Sequence, residues 1–310
     1  MNSTLKGILF VALGACSFGM LATFVKIAYK QGFTTAEITI SQFAFALVCL
    51  LALNFFSRAK NSQKATKTDI RKLIISGTSM GCTSVLYYLC VKYLNASIAV
   101  VLLMQSVWIG VLIEAVVHKK VPSLAKLTAV VFVLFGTVLA TNIFGNELKF
   151  DIKGFIFGLL AAVSFSITLF STNSIAQHLH PFKRSLFMLF GGATVVITFA
   201  LLTQILPFYL NIHLIGEALI SAKQFDRSIL YTWGILLSIF GTVLPPILLN
   251  KGFPLTGVGL GSIVSSLELP VSATFAFIVL DEQVQFSQWI GIVIILTSVL
   301  LINWRLIRQK

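Results

Sequence analysis

Charge is what this sequence has least of. Only 11% of its 310 residues are charged, and 10 acids stand against 23 lysines and arginines. Soluble domains average about 25% charged residues, so a soluble globular fold is a poor fit. No polar stretch is long enough for a sizeable soluble domain; the longest polar connections are about 58–72 and 208–228. Cysteine is sparse too. The four cysteines (Cys16, Cys49, Cys82, Cys90) lie in apolar runs with no CxxC pair, which excludes a disulfide framework and a cysteine zinc site. His178-x-His180 is too little for a metal. Gly257, Gly259 and Gly261 lack the preceding strand and GK[ST] ending of a phosphate loop. No nucleophile–base set and no ATP motif can be assembled. We therefore expect no enzyme activity, no cofactor and no metal.

What is present is apolar. Hydrophobic residues make up 57% of the chain, and its mean hydropathy is +0.95. Ten apolar segments stand out, roughly 6–28, 36–57, 71–91, 96–117, 124–143, 153–175, 184–207, 229–250, 257–280 and 286–304. A bilayer crossing takes about 20 residues, so each segment reads as a transmembrane helix. They are too long, and alternate too little, for barrel strands. Leu13-Gly14-Ala15-Cys16 resembles a lipoprotein cleavage box, but the apolar run continues to Phe24, so the segment reads as a retained helix.

The net charge of +13 could signal nucleic acid. Its distribution argues for topology instead. With the N-terminus placed inside, most Lys and Arg fall on inside segments: Lys6, the group from Arg58 to Lys72, Lys119, Lys120, Lys126, Lys183, Arg184, Lys251, Arg305, Arg308 and Lys310. Most acids, including Glu147, Asp151, Glu217, Asp226, Asp281 and Glu282, fall outside. This is the positive-inside pattern, and it predicts cytoplasmic termini, a multi-pass protein of the bacterial inner membrane and no nucleic-acid partner.

The chain is also written twice. Residues 6–18 match residues 153–165 at seven of thirteen positions, including the Lys-Gly start and the Ser-Phe pair. Residues 120–142 follow the pattern of 282–304, with small residues at Ala129/Gly291 and Gly136/Ser298. Two five-helix halves follow, 1–145 and 146–310. Five is odd, so the second half enters from the other face. The fold class expected is all-α integral membrane, ten transmembrane helices as two inverted repeats, an arrangement that suits alternating access.

One acid breaks the apolar pattern. Glu268 lies near the middle of segment 257–280, where an ionised carboxylate costs about 2.5–3.5 kcal/mol or more. Pro270, two residues on, removes a backbone donor from the same helix. Glu268 can carry a proton or face a cationic substrate; the bland alternative is a neutral structural acid bonded to a neighbouring helix.

Several segments resemble the drug/metabolite transporter superfamily, and within it the EamA-type ten-helix proteins. They are Gly7…Ser17-Phe18-Gly19 and Gly154…Ser164-Phe165, the joint Tyr93-Leu94-Asn95-Ala96-Ser97-Ile98-Ala99, Leu267-Glu268-Leu269-Pro270-Val271, and Asp281-Glu282 followed by Trp289-Ile290-Gly291. The resemblance covers nearly the whole chain. It implies a basket in which segments 1–4 and 6–9 enclose a cavity, with 5 and 10 peripheral, and transport of small polar metabolites, amino acids, nucleobases or drugs, often outward. Two departures stand out: Gln42 where many members carry arginine, and Trp108 where the first half would match Pro270.

The candidate cavity residues are Glu268, Ser265, Gln42, Gln105, Trp108 and Tyr88. Ser265 lies one turn before Glu268. Gln42 is a buried amide that needs partners. Gln105 and Trp108 occupy the middle of the fourth segment. Tyr87 and Tyr88 are adjacent, and at most one is expected to face the cavity. Pro270, Pro245 and Pro246 are candidate hinges. Glu114 reads as a partner of His118-Lys119-Lys120, and Lys92 and Lys251 as snorkelling anchors. Asn250, Asn173 and Lys26 are candidates for a vestibule. Gly154-x-x-x-Gly158 reads as a packing face, toward the bundle or toward a homodimer partner. The function read from all this is a secondary, non-ATP transporter, an exporter of small polar metabolites or amino acids, with proton coupling open. The alternatives are a membrane enzyme or lipid-processing protein, and a non-transporting scaffold.

Overall fold

The computed structural model describes residues 3–56, 65–119, 121, 124–141, 151–214, 216, 219–221 and 223–308. The described residues are helical and contain no strand. In chain order the helices are α1 (Ser3–Lys30), α2 (Thr35–Phe56), α3 (Lys67–Tyr93), α4 (Ala96–Leu103), α5 (Ser106–His118), α6 (Leu124–Thr141), α7 (Ile152–Ser174) and α8 (Pro181–Leu210). Then come α9, which starts at Leu230 and ends with Leu244–Ser265, α10 (Glu268–Leu280) and α11 (Phe286–Arg308). Seven helices among the described residues are long and apolar enough to cross a membrane, and Val130–Ala140, Glu268–Leu280 and Phe286–Ser298 are shorter apolar helices. Large apolar side chains such as Phe55, Phe56, Val116, Phe277 and Ile278 are exposed, an outward surface suited to acyl chains and costly in water. The bundle is a membrane protein.

Glycines set where the helices touch. On α1, Gly7 meets Leu255 and Thr256, Gly14 meets Leu248 and Leu249, and Gly19 meets the Glu268 carbonyl, so one small-residue stripe carries α9 and α10. Gly136 of α6 lies against Gly291 and Ile295 of α11, pairing these two helices. Gly154 and Gly158 of α7 meet Tyr93, Leu94 and Leu102, so that stripe faces the bundle.

Two helices break at matched places. In the second, Pro270 cannot donate to the Ser266 carbonyl; Leu269 N takes it at 3.0 Å, and Leu267 N turns back to Val264 O at 3.2 Å. In the first, Gln105 N turns to Leu102 O at 3.0 Å and Val107 N to Met104 O at 3.0 Å, with no proline nearby. Here the Gln105 side chain supplies the cause. Its Nε2 donates to Val101 O at 3.2 Å, the carbonyl that its own backbone N–H would have used. Both broken helices end on left-handed residues, Lys119 (φ 51°) and Asp281 (φ 54°).

The prolines of the eighth and ninth helices act alike. π-helical turns at Leu201–Ile205 and Ile239–Val243 immediately precede Pro207 and the Pro245-Pro246 pair. A widened turn relieves the clash between a proline ring and the preceding carbonyls. The turn expected between 250 and 257 takes a different form. The helix runs continuously over Leu244–Ser265, with Pro254 inside it. The path still bends, because a Cβ on Gly261 would sit 2.6 Å from the Phe253 ring. In a straight helix those residues lie about 12 Å apart along the axis.

One end of the bundle is held by charged side chains, buried or half-buried. Lys26 of α1 donates to Val91 O (2.8 Å) and Leu94 O (2.7 Å), capping α3. Glu282 accepts from Ala96 N (2.9 Å) and Ser97 Oγ (3.0 Å), capping α4. Cation at a C-terminus and anion at an N-terminus both complement the helix dipole. Nearby, the fully buried Glu37 accepts from Thr34 N (2.7 Å), Gln204 Nε2 (2.8 Å) and Asp226 N (2.7 Å), and pairs with Lys223 at 3.3 Å. The boundary near 145, Lys120 and the side chains of Glu114, His118 and Asn173 lie outside the described residues.

Candidate functional site

The cavity grows from helix faces with a repeat of three and four. On α3, Met80, Thr83, Ser84, Tyr87 and Tyr88 fall on one face. On α7 the same spacing gives Phe165, Thr168, Leu169 and Thr172. Phe18 and Leu21 of α1 and Leu103 of α4 close one side, while Ser185 and Met188 of α8 and Pro246, Leu249 and Asn250 of α9 close another. Glu268 opens α10 and faces the same space, a cavity of about 60 Å³. The wall is mostly apolar with few polar groups, the composition of a small-molecule site.

Glu268 is 2% exposed. Among the described residues no side chain or backbone group donates to its carboxyl, and no cation pairs with it. Gly19 lets α1 approach the Glu268 backbone carbonyl to 2.8 Å of where a Cβ would stand, which fixes the start of α10 against α1. On the turns either side of Glu268 the hydroxyls of Ser265 and Ser272, on the cavity wall that of Tyr87, and one turn along α1 from Gly19 that of Thr23, are buried without a partner among the described residues. So many unmet buried groups are unusual in a packed interior.

Tyr88 also lines the cavity, and so does Tyr87, against the expectation that only one would. Spacings of seven and eight from Met80 put both on the same face, and their polar tips diverge. Tyr88 Oη donates to Gln42 Oε1, and Gln42 Nε2 donates to Thr242 Oγ1. Gln42 is thereby satisfied behind the wall rather than in it. Replacing Gln42 with Ala strands the Tyr88 and Thr242 hydroxyls and should cost about 1–3 kcal/mol, read as a lowered midpoint in a thermal-unfolding scan of the detergent-purified protein.

Gln105 and Trp108 are not among the cavity residues. Gln105 Nε2 reaches Thr137 of α6, and Trp108 Nε1 donates to Gln105 Oε1 at 2.9 Å. The pair joins the break in the first half to α6. Ser265 is partly buried and is not a lining residue either. Of the three prolines, Pro246 reaches the cavity. Lys251 lies over the rings of Phe10 (5.8 Å) and Phe182 (5.1 Å), a cation–π anchor. His180 accepts from Phe182 N at 3.4 Å and caps α8. Partial burial, helped by Lys251 and Lys183, holds its imidazole below the usual histidine range. No group of three metal-ligating side chains occurs among the described residues.

Near Thr172 sequence reasoning named Asn250 for a vestibule and passed over its neighbours. Arg184, counted there as a charge in a turn, is 1% exposed. α8 starts at Pro181, so Arg184 falls in its first turn and packs inward. A guanidinium nitrogen donates to Thr172 O, and Nε has no partner among the described residues. Asn250 Nδ2 donates to Ser185 Oγ at 2.9 Å, and Asn250 Oδ1 is unpartnered.

Apolar helices around one internal, partly polar cavity define a membrane-embedded solute-handling protein. The EamA-like transporter family matches the chain over residues 5–142 and again over 152–304, and the chain belongs to that family. It is a membrane transporter. A protein of Salmonella typhimurium (strain LT2), described as the uncharacterized inner membrane transporter YicL, is 27% identical over 309 residues, 98% of this chain and 97% of that one. A solved crystal structure of another protein superposes with a TM-score of 0.66 at 15% identity, covering 99% of this chain and 98% of that one. That likeness speaks for the fold alone.

Proposed function

We propose that this protein is a secondary transporter of the bacterial inner membrane that exports small polar metabolites or amino acids by alternating access. The observation that carries the reading is Glu268, a buried carboxyl without a partner among the described residues, facing the cavity from the start of a broken helix. A carboxyl so placed serves as proton carrier or cation partner. Ten spans in two inverted five-helix halves, 1–145 and 146–310, supply the moving parts. The matched breaks at Met104–Gln105 and Ser266–Leu267, and the two family matches along the chain, support that division. Exchange of the two halves' conformations would turn an inward-facing cavity outward. Excess Lys and Arg on alternate loops supports cytoplasmic termini. The relative's name supports the inner membrane.

Purified protein in liposomes, given a panel of labelled amino acids and polar metabolites with and without an imposed pH gradient, tests this. A transporter moves at least one solute intact. Chemical conversion of the solute would point to an enzyme, and neither movement nor conversion to a scaffold. Either outcome overturns the reading.

A further inference from the structure

Two buried ionisable groups adjoin this cavity, an acid and a base. Glu268 lies on its wall, and Arg184 lies immediately behind Thr172 and Ser185 at the other end. The ion pairs formed by described residues are Asp69–His178 and Lys223–Glu37, so neither Glu268 nor Arg184 is neutralised by one of them. A buried charge without a counter-ion is costly in a low dielectric. One ligand carrying both charges would answer both at once.

Helix α1 gives the axial offset between Glu268 and the Asn250 end of the cavity. Gly14 lies against Leu248 and Leu249, next to Asn250, and Gly19 lies against the start of α10 at Glu268. Five to six residues of helix separate the two levels, about 8 Å along the axis. An α-amino acid, whose ammonium and carboxylate share one carbon, cannot reach both ends.

We propose that the cavity takes a small extended zwitterion, with its ammonium at Glu268 and its carboxylate at the corner formed by Arg184, Ser185 and Asn250. Arg184 already caps α7 through Thr172, which uses one donor and leaves Nε–H free among the described residues. Ser185 accepts from Asn250 and so has its own hydroxyl proton to give. The apolar middle of the wall, Phe165, Leu169 and Leu249, suits a methylene chain between the ends. This rests on the transporter reading and narrows its substrate class.

The test is thermal stabilisation of the detergent-purified protein by 6-aminohexanoate, hexanoate, hexylamine and alanine, with proteoliposome uptake run beside it. The wild type should bind 6-aminohexanoate at least about tenfold more tightly than the three others, the loss expected from one unmet charge. In Arg184→Gln, hexylamine should bind as well as 6-aminohexanoate; in Glu268→Gln, hexanoate should. A merely structural arginine would change stability without moving that charge preference. Should Arg184→Gln not fold, Asn250→Leu, on the cavity wall, tests the same corner. Equal binding of a singly charged probe by the wild type, tighter binding of alanine, or no binding of any probe overturns the proposal. If other solutes cross the liposome membrane while none of these four bind, the transporter reading stands without the zwitterion. If 6-aminohexanoate binds with the expected preference and nothing crosses, the site stands and transport falls.

Discussion

Glu268→Gln should abolish proton-coupled flux and leave the folded protein as stable as before. These two outcomes come from the same geometry. A structural acid is held by donors, and its removal leaves them buried and unpaired at about 1–3 kcal/mol each. Glu268 has no such donors among the described residues, so glutamine, of nearly equal volume, takes nothing from the fold. What it removes is the exchangeable proton and the negative charge that faces the cavity. A charge-assisted contact to a bound cation is worth about 1.5–3 kcal/mol, about ten- to a hundredfold in affinity. Uptake into proteoliposomes across a range of pH, with an unfolding scan of the same preparations, measures both halves. Full transport by the variant at every pH would remove Glu268 from the mechanism. A large drop in melting temperature would make it a structural acid after all.

The sequence exposed that acid because it interrupts a uniform background; one carboxylate in 24 apolar-rich residues needs no partner to be seen. Pro270 was legible for a similar reason, since a missing N–H acts on its own helix. The break at Met104–Gln105 was not, because its cause is a side-chain amide displacing a backbone donor, and glutamine carries no such signature. The same residue shows why cavity lining was read imperfectly. In a helix apolar on every side, hydropathy has no preferred face, so Gln105 and Trp108 were equally plausible toward the cavity or toward α6. Thr137, more than thirty residues on, decides it. Arg184 was hidden by position: beside Lys183 at the edge of an apolar run it reads as a topology charge, until the helix start at Pro181 turns it inward. Lys26, Glu37 and Glu282 act on partners remote in sequence, which no local pattern records.

Gly191→Leu should prevent folding, or leave a bundle whose cavity has lost one wall. The helices α3 and α8 cross at four glycines, Gly77 and Gly81 on one and Gly191 and Gly192 on the other. A Cβ on Gly191 would overlap the Ile74 carbonyl, and one on Gly77 would overlap the Met188 carbonyl. Both obstacles are backbone, which cannot rotate aside, so any side chain forces the axes apart. Such close crossings are how helices associate where no hydrophobic effect drives them together. The seam also fixes function. Met80, Thr83 and Ser84 lie within about two turns of Gly77 along α3, and Met188 lies one turn and Ser185 nearly two turns before the α8 glycines, all on the cavity wall. Overpacking a core costs about 1–3 kcal/mol where side chains can yield, and here the cost should exceed that range. Gly191→Ala sets the scale: it should already lower the unfolding midpoint clearly, with Leu worse, while Gly110→Ala, where a Cβ meets nothing within 4 Å, should be nearly silent. If Gly191→Leu instead expressed, unfolded and transported like the wild type, the two helices would not cross as described, and the wall they share would have to be redrawn.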